Sequence, residues 1–173
     1  MKKILIAGLL LIFILPGAFA QKTNKVVMDP ILHSKVMEGP CTLNGLEHGI
    51  FSRWFNMEYK SYHPNAAAIK EIAKKINKTT ITIVFGSWCG DSKIQVGRFY
   101  KVLDNAGFDS SHVKNIAVLR SLKAGNMDIS GLHILRIPTF IIFYQGKEIG
   151  RIVESPKVSL EADLASILNK IKQ

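Results

Sequence analysis

Apolar residues fall along this chain in two alternating rhythms. Ile81 to Phe85 is a short, β-branched apolar run closed by Gly86, the pattern of a central strand buried on both faces. From Ser92 to Ala106 the period lengthens: Val96, Phe99, Tyr100 and Leu103 recur at helical spacing, and Gly107 supplies a stop. A strand over Ile116–Leu119 is expected next, then a stretch from Ser121 to Leu132 whose two glycines and scattered apolar positions leave helix or loop open. Phe140 to Tyr144 and Glu148 to Val153, joined by Gln145-Gly146-Lys147, read as a hairpin. Ser159 is a good N-cap for a last helix with the apolar stripe Leu160, Leu164, Ile167, Leu168 and Ile171. Upstream, Gln21 to Pro40 reads as an extended lead-in that admits a short edge strand at Lys25–Met28. Leu46, Ile50 and Trp54, with Phe51, Phe55 and Tyr59, predict one aromatic-rich helical segment over 46–62. A second helix is expected from Pro64 through Ile76.

The chemistry concentrates where the buried strand ends. Trp88-Cys89-Gly90-Asp91-Ser92 follows Phe85 closely and opens the next helix, so Cys89 stands at a helix N-terminus. Backbone N–H groups and the helix dipole there favour the thiolate, the nucleophilic form of cysteine. Three residues on, Ser92 offers a hydroxyl that can hydrogen-bond but cannot close a disulfide, so any thiol chemistry at this motif is monothiol. Asp91 and a more distant Glu154 would oppose the thiolate if they lie near it. Asp91 equally suits a helix first turn, and Glu154 a solvated strand end.

Strand, WCGDS motif, helix, strand, Ile137-Pro138-Thr139, hairpin and helix, in that order over Thr79 to Gln173, resemble the thioredoxin superfamily. WCGDS with Gly150-Arg151-Ile152-Val153-Glu154 is also similar to a group of exported bacterial thioredoxin-like proteins. The resemblance implies a thioredoxin-like α/β fold, a central mixed sheet flanked by helices, with residues 21–78 as a lead-in and N-terminal helical extension packed on a 79–173 domain. It implies that Pro138 is cis and faces Cys89, that Ile137 offers backbone to an extended substrate, and that Trp88, Gly90, Asp91, Ile137, Pro138 and Glu154 border the substrate. Three departures separate the chain from a dithiol reductase. Ser92 replaces the resolving cysteine, Ile83 stands in the place of a buried acid, and Gly97 takes the place of a helix-kinking proline. The function implied is monothiol thiol–disulfide exchange, isomerase- or reductase-like, with Cys89 and Ser92 as the catalytic pair and no cofactor. The alternative is a redox-silent module that keeps the groove for a peptide or partner protein.

Composition adds the compartment. Lys2 and Lys3 precede an uncharged apolar run, Ile4 to Leu15, and Ala18-Phe19-Ala20 has the small residues of a signal-peptidase site. The run is shorter than the roughly 20 residues that span a bilayer. Residues 1–20 are therefore expected to be a cleaved signal peptide, Gln21 the first mature residue, and the product periplasmic or secreted, with no integral membrane segment after cleavage. The expected partners are thiol- or disulfide-containing envelope proteins and an external thiol donor. The chain has two cysteines, which in an oxidising compartment admit one bridge between Cys41 and Cys89; otherwise Cys41 is an incidental thiol. A formal charge of +10 is dispersed, as along Lys70, Lys74, Lys75 and Lys78, and lacks the interleaved aromatics of a nucleic-acid surface. None of the five histidines forms a metal-ligand spacing, and no nucleophile elbow surrounds Ser92.

Overall fold

The computed structural model describes residues 22–172; the expected signal peptide lies outside the described residues. Its centre is β3 (Thr79–Phe85), which runs parallel to β4 (Val113–Ala117) and antiparallel to β5 (Thr139–Tyr144). β5 continues into β6 (Lys147–Val153) through Gln145 and Gly146, both at positive φ, the backbone that matches a two-residue hairpin to strand twist. β1 (Lys25–Met28) and β2 (Lys35–Cys41) form a second hairpin, and β2 joins β4, giving the order β1-β2-β4-β3-β5-β6.

Residues 21–78 are thus more than a lead-in with helices, because they supply two strands of the same sheet. The pattern of β2 conceals it: Lys35–Glu38 pairs with β1 while Gly39–Cys41 pairs with β4, and the Gly-Pro step sits where the strand changes neighbour. The expected helix over 46–62 is also two helices, α1 (Leu43–His48) and α2 (Ser52–Ser61). Thr42 caps the first through its hydroxyl on Gly45 N–H, and Gly49 ends it in an extended conformation with its N–H on Gly45 O. The break turns Phe51 and Phe55 into the core and leaves Ile50 and Trp54 50% and 36% exposed, so those two are not core residues. The helix expected from Pro64 begins later, with Asn65 as the cap of α3 (Ala66–Ala73), and a single 3-10 turn at Ile76–Lys78 leads into β3.

Side-chain alternation along β3 divides the interior. Ile81, Ile83 and Phe85 enter a large cluster to which all five helices contribute, including α4 (Gly90–Asn105) and α5 (Leu160–Leu168). Ser159 caps α5 as expected, accepting from Ala162 N–H, and the whole stripe from Leu160 to Ile171 is buried. Val84 points the other way, into a smaller cluster with Ile116, Val118, Ala124 and Ile137. Its cover is the 119–134 connection, whose scattered Leu122, Met127, Ile129, Leu132 and Ile134 pack onto it. The open 121–132 segment is therefore irregular backbone, with one bridge between Ala124 and Met127 and a 3-10 turn at Ser130–Leu132.

Candidate active site

β3 delivers the chain to the Trp88-Cys89 turn at its C-terminal end. Cys89 is the N-cap residue of α4, with an extended backbone, its N–H on Gly86 O and its own carbonyl accepting from Lys93 N–H. Its half-buried Sγ lies 3.5 Å from the carbonyl oxygen of Ile137, and the Ile137-Pro138 peptide bond is cis. The thiol and the proline loop thus face each other, as the resemblance implied.

Ser92, the expected partner of Cys89, lies in the first turn of α4. It is fully buried, and its Oγ accepts from Gly86 N–H at 3.1 Å. That bond ties the first turn of α4 to the end of β3, so the hydroxyl works as a fastener of the turn. Gly90 is exposed, and a Cβ there would meet nothing within 4 Å. Asp91 is exposed in the first turn of α4. Glu154 follows β6 with φ of 59°, donates its N–H to Pro138 O at 2.7 Å, and accepts Arg136 Nη1 at 2.9 Å. It reaches the rim as half of an ion pair.

These residues border an open groove of about 430 Å³ over the thiol, to which Trp88, Asp91, Ile137 and Glu154 contribute together with Arg120, Leu122, Leu135 and Arg136. The last four were not foreseen, because they come from irregular segments where no periodicity marks a facing direction. Trp88 is fixed edge-on by its indole N–H, which donates to Val118 O at 2.9 Å, and the Arg120 guanidinium lies 5.0 Å from its ring centroid. Gly86 is part of this packing too. A Cβ at 86 would stand 2.7 Å from Ile137 Cδ1 and 2.8 Å from the Trp88 ring, so only glycine lets strand, indole and proline loop meet. Leu135 is 86% exposed at the groove edge.

Cys41 does not reach this site. Both thiols are free; Cys41 is buried in the large cluster, whereas Cys89 packs against the small one. Burial pushes the Cys41 thiol up to about 12, against a weaker lowering by the Ala117 backbone N–H. Among the described residues no three His, Cys, Asp or Glu side chains gather as a metal site, and no helix is long and apolar enough to cross a membrane.

A central β3-α4 unit carrying a cysteine at the helix mouth, a cis-proline loop facing the sulfur and a terminal β5-β6-α5 unit make the fold thioredoxin-like. No family model and no curated protein matches the sequence. Among solved structures it is similar to an HIV epitope-scaffold protein, with 12% identity and a TM-score of 0.50 over 70% of this chain and 83% of that one. It also matches mitochondrial thioredoxin 3 of Saccharomyces cerevisiae, in the oxidised form, with 16% identity and a TM-score of 0.38 over 66% of this chain and 99% of that one. Thioredoxin of Trypanosoma brucei brucei matches with 22% identity and a TM-score of 0.36, over 61% and 84%. At these identities the likeness is one of fold.

Proposed function

We propose that the protein is an exported monothiol exchange factor acting through Cys89. The observation that carries the reading is the half-buried Cys89 sulfur opposite the cis Ile137-Pro138 loop, within an open groove. The Cys89 thiolate attacks one sulfur of a substrate disulfide; a Cys89–substrate disulfide forms and the other substrate sulfur leaves as thiolate. A second thiol, the substrate's own cysteine or a small external donor, then attacks the adduct and returns Cys89 as thiolate. Ser92, buried and engaged with Gly86 N–H, supplies no resolving sulfur, which favours isomerisation over net reduction. The partners are envelope proteins with free or bridged cysteines, and the basic, apolar N-terminal stretch supports export.

The test is addition of a small aromatic disulfide to the reduced, folded protein, followed by intact-mass and peptide mapping. One adduct at Cys89 is expected, with Cys41 untouched, and Cys89→Ser abolishes it. Adduct formation only after denaturation would refute exchange and leave the redox-silent binding module. Export is checked separately: the envelope form should begin at or near Gln21, and a soluble cytoplasmic form retaining residues 1–20 would overturn it.

A further inference from the structure

The β1–β2 hairpin is tied to the segments that build the groove at two points. Asp29, just after β1, is fully buried, and Oδ1 accepts the N–H groups of Ile31 at 2.8 Å and Leu32 at 2.9 Å inside its own turn. Its Oδ2 accepts Arg120 N–H at 2.7 Å, a partner 91 positions away. Burial opposes ionisation, but the N–H groups of Arg120, Leu32 and Ile31 outweigh it and hold the carboxyl below its ordinary 3.8. Both oxygens are therefore full acceptors at neutral pH. The second tie runs from β2, where Met37 N–H donates to Ser87 Oγ at 2.9 Å.

These two ties meet at one object. Ser87 precedes Trp88, and Arg120 covers the Trp88 ring while Val118, two residues earlier, accepts its indole N–H. We propose that Asp29 is a positioning residue, and the β1–β2 hairpin a brace, that together fix the Trp88–Arg120 wall against which a peptide disulfide is aligned for Cys89. The expectation of residues 21–78 as a lead-in and helical extension packed on a 79–173 domain gave this hairpin no role at the groove; the bonds assign it one. The proposal rests on the exchange reading only for its kinetic consequence, since the placement of Trp88 is measurable without any thiol chemistry.

Asp29→Asn separates the bridge from the turn. The amide has one oxygen, which can keep the Ile31 and Leu32 bonds, and its NH2 then confronts Arg120 N–H donor to donor. In a Trp54→Phe background, where Trp88 is the remaining tryptophan, acrylamide quenching of Trp88 is expected to rise clearly in Asp29→Asn while the far-UV spectrum is unchanged. Exchange with a peptide disulfide is expected to slow about two- to ten-fold, the rate equivalent of one positioning hydrogen bond, with iodoacetamide alkylation of Cys89 unchanged. Ser87→Ala cuts the other tie and carries the same expectations, so it serves if Asp29→Asn does not fold. Unchanged Trp88 quenching in whichever variant folds overturns the proposal. Altered quenching with no exchange even in the parent protein would instead sink the exchange reading and leave the brace standing. Equal slowing with iodoacetamide and the peptide would refute the wall-specific role.

Discussion

Replacing Gly97 by alanine sets two sizeable effects against each other. Gly97 lies inside α4, where alanine is favoured over glycine by about 1 kcal/mol. A Cβ at 97, however, would stand 2.4 Å from the backbone oxygen of Phe55, 3.0 Å from Tyr59 N and 3.2 Å from Glu58 Cβ, all on α2. Two of these are main-chain atoms, so no rotamer change relieves them, and α2 must retreat by about 1 Å to restore ordinary contact. It is poorly free to do so. Phe55 is buried, Arg98 Nε holds Glu58 at 2.7 Å, and Tyr59 OH donates to Asp104 at 2.8 Å. Overpacking costs about 1–3 kcal/mol, and against main-chain atoms that cannot swing aside the upper part of that range applies, about 2–3 kcal/mol; after the helical gain of about 1 kcal/mol the net loss is about 1–2 kcal/mol. For a domain of this size that is a fall in Tm of about 2–8 °C, read by thermal melts and by urea midpoints. Gly90→Ala in the same helix is the control, because the space around it is open, and it should leave Tm unchanged or slightly raised. Gly97→Ala as stable as the parent would show that the α2–α4 approach is not the reason for glycine at 97.

Further substitutions at three positions probe the site and the wider fold. Gly86→Ala should displace the Trp88 ring and break its bond to Val118, at a cost of about 1–3 kcal/mol; an unchanged Trp88 indole N–H resonance would contradict this. Ser92→Ala should cost about 1–3 kcal/mol in urea unfolding by leaving the Gly86 N–H buried and unpaired, whereas Ser92→Cys, made with Cys41→Ser, should shorten the lifetime of a Cys89 adduct by supplying a resolver. An adduct equally long-lived in Ser92→Cys would show that position 92 cannot reach the sulfur. Glu161 is buried, which raises its carboxyl, but Asn65 N–H and Tyr62 OH outweigh burial and hold it below its ordinary 4.5. A depressed acid contributes stability above its unfolded value that is lost as pH falls through the folded one. Glu161→Gln should therefore flatten the acid limb of stability below about pH 4.5 and leave less stability at neutral pH, and an unaltered acid limb would refute the assignment.

The local periodicities in this sequence were enough for β3, α4, the β5–β6 hairpin and α5, because each is a continuous run whose own pattern states its partner face. The cysteine at the helix mouth was likewise legible from the end of the strand before it, whereas the cis Pro138 was expected only through the resemblance to the thioredoxin superfamily. What the pattern could not state is how separate segments meet. α1 and α2 share one apparent period, and only the packing of Phe51 and Phe55 shows that the chain breaks at Gly49. β2 carries Gly39-Pro40 mid-strand, and its place in the sheet depends on pairing with β1 and β4 in turn. Gly86 and Gly97 looked like punctuation and a lost proline, yet each is glycine because another segment passes within contact distance. Ser92 could be read as an absent resolver but not as the acceptor of Gly86 N–H, and Arg120, Leu135 and Arg136 lie in irregular chain where spacing carries no direction. Hydrophobic alternation encodes which side of an element is buried; the distance between elements far apart in sequence exists only once the chain has closed on itself.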